Sequence, residues 1–478
     1  MKRMRWYELI LVNIFWLGLN IRNSAVGNIF TPYLVDRFAQ PEIRNTALGA
    51  LRTAGLIIAM LVQPVMGLLS DRCTSRFGRR RPYILIGVLL DMIFLTFMAL
   101  TSSYWGLFAA VLLIQFSANI SHGALQGLIP DLVPEDQRGI ASAVKSVLEL
   151  IPLILLGFTI APLVGAGRYQ LAVLVSGLLL LALMLLTMLL VKETPLQAKP
   201  DAPLAPTMLR VLGMLAGIGG GALAGALAGG AVGGLVWLIA WSLAGQRAGT
   251  QLGVAVGGIV AMAVAVVAGV WAGSMATIGK AARRYPSYTW WMVNRLMFMA
   301  AVTSIQTFAP FFLMYAFDID REQAAAMTGT LMTVVGVFTL LSALPGGWLA
   351  DKLGPKRLVA GGGLTAAVGT AILLATVWMP NLALIYVAGC ILGLAAGLFM
   401  TTNWALGTRL VPAKEAGRFL GVSNLAGAGA GMIGAGIGGP ISDYLNHTMP
   451  GLGYLVIFGG YGILFLLSVV SLKGITED

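Results

Sequence analysis

Polar residues break this chain at regular intervals, and long apolar runs fill the gaps. The first runs lie near 7–35, 46–69, 83–102, 104–130, 138–165 and 170–191, followed by a Pro-rich polar break, KETPLQAKPDAPLAP (192–206). After a Gly/Ala-rich region and a basic break, KAARRYP (280–286), six more lie near 288–317, 323–350, 357–378, 382–409, 415–442 and 452–472. About 20 apolar residues carry a helix across a bilayer core of about 30 Å. The runs are too long for barrel strands and do not alternate. The pattern predicts an all-α polytopic membrane protein.

Composition supports this reading. The chain is 58% hydrophobic and 10% charged, with mean hydropathy +0.86, whereas soluble domains carry about 25% charge. The net charge of +12 would point to nucleic acid on a soluble protein. Here the charges sit in short loops, where they set topology and meet anionic headgroups, so the expected surroundings are the lipid bilayer and no nucleic acid. Two cysteines, Cys73 and Cys390, and two histidines, His122 and His447, exclude a disulfide framework and argue against a metal site. There is no serine–histidine–acid set or phosphate loop, and neither an enzyme nor a cofactor is expected. The opening MKRMRWYELILVNIFWLGLN imitates a signal peptide. Its apolar run continues into GNIFTPYLV without a small-residue cleavage site, so it reads as a retained first span anchored by Trp6 and Tyr7.

Lys and Arg fall on one set of loops: Lys2, Arg3 and Arg5; the five arginines at 72–81; Arg138; Lys192 and Lys199; Lys280, Arg283 and Arg284; Lys352, Lys356 and Arg357; Lys414 and Arg418; and Lys473. The opposite set holds Arg37, Arg44, Arg168, Arg247 and Arg321. The first set is expected to be cytoplasmic, with both termini, in the plasma (inner) membrane.

Between the two sets of spans, glycines fall at 213, 217, 221, 225, 229 and 233, and small residues continue at 249, 253, 257, 261, 265, 269 and 273. Small residues every fourth position let two helix backbones approach closely. The expectation is a hairpin within 207–279, with an outer loop around Gln246–Gln251. Basic flanks on both sides require an even number of crossings, which brings the total to fourteen spans. The hairpin reads as structural, or as the contact of an oligomer of an otherwise monomeric protein.

The chain also repeats itself. Val12-Asn13 matches Val293-Asn294, Asp71 in GLLSDR matches Asp351 in GWLADK, and LVPEDQRG (132–139) matches LVPAKEAGR (410–418), all at a spacing of 278 to 281 residues. Two six-helix bundles in parallel repeat are expected, over 1–191 and 287–478, joined by a linker over 192–286 that carries the hairpin. The stretch SDRCTSRFGRRRP (70–82), echoed by ADKLGPKR (350–357), resembles the loop signature of the major facilitator superfamily. The longer string is similar to that of the sucrose–proton symporters of plants and their relatives, in the glycoside–cation symporter group. The resemblance implies the major facilitator fold and a cytoplasmic gate made of Gly67, Asp71, Arg72, Gly78, Arg79, Arg80 and Arg81, echoed by Gly347, Asp351, Lys352, Gly354 and Arg357. Asp71 would meet helix ends and arginines across a domain interface.

Polar groups inside a membrane are costly and mark a pathway. Gln115, Asn119, His122 and Gln126 form one stripe on one helical face. Such groups donate and accept, as a ligand rich in hydroxyls requires. Asn20, Arg22 and Asn23 in the first span, Asn294 and Gln306 near 288–317, and Asn403 near 382–409 complete the expected substrate-binding set. Arg295 and Asn424 are further intramembrane polar groups. The plant carriers have an aspartate where this chain has Gln115 and an arginine where it has Gln126; those charges are associated with proton coupling and substrate binding. Glu149 is the first proton-coupling candidate, with Lys145 four residues before it. Asp91 is a further one, discounted because its span is usually outer scaffold. Arg22 would attract an acidic substrate or pair with Glu149. Tyr288, Trp290 and Trp291 read as an interfacial belt. The expected function is secondary transport of a small polyhydroxylated solute, sucrose-like, with proton symport. The alternative is a fourteen-span exporter of amphipathic compounds. Such exporters carry G-x-x-x-G-P where SVLELIPLILLGFTIAP (146–162) lacks it; GIGGP occurs at 436–440.

Overall fold

The computed structural model describes residues 3–193, 195–196, 205–279, 281–410 and 416–476. Lys2, Lys199, Lys280 and residues 411–415 of LVPAKEAGR lie outside the described residues, as do the side chains of Arg418 and Asn424. Among the described residues there is no strand. The long helices are α1 (Trp6–Phe38, with a π-helical turn at Val26–Phe30), α2 (Arg44–Asp71), α3 (Arg81–Leu100), α4 (Tyr104–Leu125), α5 (Arg138–Thr159) and α6 (Tyr169–Leu190). Then come α7 (Ala205–Ile278), α8 (Pro286–Phe317), α9 (Arg321–Leu353), α10 (Pro355–Ala375), α11 (Leu382–Leu410), α12 (Ala416–Thr448) and α13 (Leu452–Ser471). Twelve segments among the described residues are long and apolar enough to cross a membrane. The chain is an integral, multi-pass membrane protein.

Local chemistry sets the helix starts, and it repeats. The Ser103 hydroxyl accepts from the Gly106 amide ahead of α4, and the Asn381 side chain accepts from the Leu384 amide at the start of α11. Such caps satisfy amides that a helix leaves unpaired. Gly78 and Gly354 both take positive φ, 107° and 84°, just before α3 and α10. Proline follows in the first turn of each helix, where it lacks no partner.

The chain forms two compact units. The first comprises Met1–Phe38, Ile57–Leu209 and Asp320–Gly336. In it α1 packs on α5 and α6, and α3 on α4 and α6. Its core gathers Val12, Phe15, Trp16 and Leu19 of α1 with Ile84, Val88, Ala124, Leu125, Leu180 and Met184. The beginning of α9 belongs here: Gly329 packs against Ala161 and Gly157, Thr333 donates to the Ile154 carbonyl at 2.9 Å, and Tyr33 donates to Glu322 at 2.9 Å.

The second unit comprises Ala39–Leu56, Arg210–Ile319 and Val337–Asp478. Here α8 packs on α12 and α13, and α10 on α11 and α13, the same neighbour pattern shifted by one repeat. The beginning of α2 lies in this unit. Asp443 of α12 accepts from Asn45 Nδ2 at 2.7 Å and from the Thr46 amide at 2.6 Å, and Gly49 lies against the Ala435 backbone. The contacts thus group the first turns of α2 and α9 with residues of the other sequence repeat.

α7 is two helical arms meeting at Gly245, whose φ of 87° and ψ of 175° no helix contains. Gly217 lies on Gly273, Gly221 on Gly269, Gly225 on Ala265, Gly229 on Ala261 and Gly233 on Gly257. These pairs are symmetric about residue 245, so the arms run antiparallel. The turn is the single residue Gly245, and Gln246–Gln251 are helical. The expected loop there is corrected: arms in such close contact need no connection longer than one left-handed residue. The second arm packs on the second unit, with Gly258 against Ile441, Ile259 and Met262 against Gly460, and Arg247 donating to the Thr448 carbonyl at 2.8 Å.

Candidate functional site

The arginine-rich loop folds back on its own unit. Arg80 is buried, pairs with Asp71, donates through Nε to Asp131 at 2.9 Å, and donates through Nη1 to Ser70 at 2.6 Å. Arg79 also pairs with Asp131. Gly127 makes room: a Cβ there would run into the Arg80 guanidinium. α4 ends at Leu125 and a short helix, Leu128–Leu132, follows, although the apolar run continues. The Arg80 amide donates to Glu193 at 2.9 Å, which places a carboxylate at the start of α3, where the helix dipole favours it. Burial pushes the Glu193 carboxyl above the usual carboxylate range, against the lowering effect of these bonds. Asp71 thus meets an arginine of its own loop, in the same unit. The echo is looser. Asp351 stands 3.7 Å from Arg409, with both side chains mostly exposed, and Lys352 lies over the Trp348 ring at 3.9 Å. Arg357 is exposed. Gly67 approaches the Gly123 carbonyl, and Gly347 faces Thr401. The hydropathy pattern does not single out Asp131 or Glu193; their signal is an acid at a helix end near arginines distant in sequence.

Deeper in the first unit, Arg22 Nε lies 2.6 Å from Asp91 Oδ2, and both side chains are about 1–2% exposed. Ser117 donates to the other Asp91 oxygen at 2.7 Å, and Arg22 Nη1 donates to Asn23 at 2.6 Å. The pair joins α1, α3 and α4. The expected partnership of Arg22 with Glu149 is corrected, because α3 packs against α4 and brings Asp91 to α1. Asp91 is likewise no outer-scaffold residue: a carboxylate on that face of α3 is sealed inside the unit.

A second cluster lies on α1, α4 and α5. Lys145 Nζ is 3.5 Å from Glu149 and 4.1 Å from the centre of the Trp16 ring. His122 meets Trp16 edge-on at 5.1 Å and is 3.4 Å from Gln126. Asn119 donates to the Gln115 carbonyl at 2.7 Å, and Asn20 donates to the Trp16 carbonyl at 2.9 Å. Asn119 is buried, Gln115 and His122 are half-buried, and Gln126 is exposed at the helix end.

The second unit holds its own polar cluster. Trp291 is fully buried, and its indole donates to the Asn403 carbonyl at 2.9 Å. Asn403 donates to Asn294 at 2.7 Å, and Asn294 donates to the Ser468 carbonyl at 2.7 Å. Arg295 Nη1 donates to Asn403 Oδ1 at 3.3 Å. Gln306 is half-buried, three turns along α8. The expected interfacial belt is corrected here: Tyr288 and Trp291 are 0% exposed and only Trp290 reaches the surface, because α11 covers that face of α8. The apolar run near 46–69 also hides Arg52, a membrane-embedded charge that its neighbours mask in a hydropathy profile.

Relatives share parts of this chain. It is 46% identical over 68 residues to the sucrose transport protein SUT1 of Oryza sativa subsp. japonica, covering 14% of this chain and 10% of that one. It is 42% identical over 152 residues to the proton-associated sugar transporter A of Rattus norvegicus, covering 28% and 20%. The chain thus matches a fifth or less of the length of these two relatives. Among solved structures, a D-xylose-proton symporter aligns over 98% of both chains with TM-score 0.64 at 17% identity. The nucleoside transporter NupG aligns over 98% of this chain and 99% of that one with TM-score 0.62 at 13% identity. These likenesses speak to the fold. The family model of the Major Facilitator Superfamily matches residues 15–318 and 296–476, and with nearly the whole chain so covered, this protein belongs to that superfamily.

Proposed function

We propose that this protein is a secondary transporter of a small polyhydroxylated solute, a sugar or glycoside of the sucrose kind, working by alternating access with proton symport. The observation that carries the reading is the polar row Gln115, Asn119, His122 and Gln126 on α4, next to Trp16 of α1. Amide and imidazole groups pair with hydroxyls in either sense, and the relatives named for sucrose and sugar transport support the same class. Asn20 and Asn23, with Asn294, Gln306 and Asn403 in the second unit, are the further substrate-facing candidates, while Arg22 is taken up by Asp91. Glu149 is the proton site in this reading. A coupling carboxylate has to reach water in some state; the Glu149 side chain is 34% exposed, while Asp91 is 1% exposed and held by Arg22 and Ser117. Asp71 with Arg80, and Asp351 with Arg409, are the cytoplasmic gate, in a plasma membrane crossed fourteen times with both termini inside.

The test is uptake of a labelled disaccharide into proteoliposomes under an imposed proton gradient. Wild type accumulates the sugar, and Glu149→Gln equilibrates it without accumulation. Lack of binding or uptake across a broad disaccharide panel, with competition by lipophilic cations, would replace this reading with the exporter. Unchanged pH-driven accumulation in Glu149→Gln would remove Glu149 from the coupling role.

A further inference from the structure

The second unit carries a groove that its own side chains leave open. One wall is α12, with Ile437, Pro440 and Ile441; the other is the hairpin α7, with Gly230, Gly234 and Val254. The groove holds about 520 Å³, and no charged residue lines it among the described residues. Gly258 against Ile441 closes its floor, whereas a Cβ on Gly230 or Gly234 would meet nothing within 4 Å. Water needs polar partners and does not settle in such a space. Bare walls forfeit their dispersion contacts. In a bilayer, hydrocarbon is the filling that remains.

The groove has a length and a direction. From Thr250 to Ala261 of the second arm it follows the helix for roughly 16 Å. One leaflet is half of a core of about 30 Å, so the groove matches the path of a single acyl chain through one leaflet. The end near the α7 turn carries groups suited to an interface. Trp237 lines the groove and stacks on Trp241 at 5.4 Å, and indoles favour the headgroup level. Arg247 lies about one helical turn from Thr250, toward the turn, and is exposed. It donates to the Thr448 carbonyl at 2.8 Å, and Gln251 donates to the Thr448 hydroxyl at 3.3 Å. Those bonds hold the arginine at the mouth, where α7 and α12 meet. No carboxylate pairs with it among the described residues.

The acyl chain alone cannot choose among lipids, because a tail leaves surroundings as apolar as those it enters. Selection has to come from the headgroup. A fixed guanidinium without a counter-charge selects a phosphate, and a headgroup with its own ammonium would bring a like charge to Arg247. We propose that this groove binds one phospholipid of net negative charge from the leaflet on the side of the α7 turn. Its acyl chain lies between α7 and α12, and its phosphate rests on Arg247. The lipid site is independent of the solute that the protein carries.

The experiment is native mass spectrometry and thermal unfolding of the full-length protein, delipidated in detergent. It is titrated with dioleoyl phosphatidylglycerol or with dioleoyl phosphatidylcholine. Wild type retains one phosphatidylglycerol and binds it about fivefold more tightly than phosphatidylcholine, the scale of one arginine at an anionic surface. Arg247→Gln brings that ratio to about one, and Arg247→Lys keeps part of it. Gly234→Leu fills the groove and weakens both lipids by about fivefold or more. Gly219→Leu, on the same arm but outside the groove, where a Cβ also meets nothing, leaves both unchanged. Gly230→Leu serves where Gly234→Leu does not fold. Without lipid the variants unfold as wild type does, which separates loss of a ligand from loss of the hairpin. Equal affinity of wild type for the two lipids, or binding that Gly234→Leu and Gly230→Leu leave intact, overturns the site. The same loss from Gly219→Leu is the mark of general solvation by lipid and overturns it too. So does a response to inorganic phosphate as large as that to phosphatidylglycerol. A dimer that Gly234→Leu takes apart assigns the groove to a second copy of the chain and overturns the lipid.

Discussion

Arg22 and Asp91 show what one residue pair can hold. Two charges so buried gain their mutual attraction only after losing water, and such a pair adds little net stability over apolar residues of the same volume. Breaking it is a different matter. Asp91→Asn leaves Arg22 buried and uncompensated, and the expected loss is about 3–5 kcal/mol, read as a lower unfolding midpoint of the detergent-solubilised protein. Replacing both partners, Arg22→Met with Asp91→Leu, recovers most of that loss. A single substitution costing under about 1 kcal/mol would show that water reaches the pair and that it joins nothing. Glu149 and Lys145 sit at the other extreme: partly exposed, with Lys145 over the Trp16 ring, and free of the constraints that lock Asp91. Two acid–base pairs, in two surroundings, are suited to two jobs.

At the scale of elements, the hairpin α7 depends on the absence of side chains. A Cβ on Gly225 would collide with the Ala261 carbonyl and stand 2.8 Å from the Ala265 methyl, whereas a Cβ on Gly230 would meet nothing within 4 Å. Gly225→Val is therefore expected to cost about 1–3 kcal/mol, the usual range for overpacking, or to separate the arms. Gly230→Val, one face round the same helix, leaves thermal unfolding within about 0.5 kcal/mol of wild type. Equal effects from the two substitutions would mean that the arms are not held through the glycine face. The contrast matters because apolar surface gives no net drive for association in lipid; helix pairs there rely on close backbone contact and packing.

For the molecule as a whole, the repeat and the charge asymmetry make a topological claim. On a background without Cys73 and Cys390, single cysteines at Arg76→Cys and Arg284→Cys should react with a membrane-impermeant maleimide only after cells are permeabilised. Gln246→Cys, one residue beyond the α7 turn and exposed, should react in intact cells. Labelling of all three from the same side would show that the hairpin does not cross, and the count of fourteen spans would fall.

The order of apolar runs, the internal repeat and the glycine stripes of α7 were legible in the sequence because a bilayer makes them local matters. Each backbone group must find its partner within its own helix, so length, hydropathy and the spacing of small residues specify the elements before any packing. Asp71 and Gly78, with Asp351 and Gly354, could be located in the same way, since turns and charges between spans are also local. Partnerships were decided only by tertiary packing. Arg22 could have reached Glu149 or Asp91, and nothing in its own helix distinguishes them; the contact of α3 with α4 does. Asp71 could have met a distant arginine, and it meets Arg80, which Gly127 allows through to Asp131. Trp291 had the composition of an interfacial anchor and became the buried floor beneath Arg295, because α11 lies over it. Charge pairing and burial arise between helices far apart in the chain, and a linear pattern carries no record of which faces will meet.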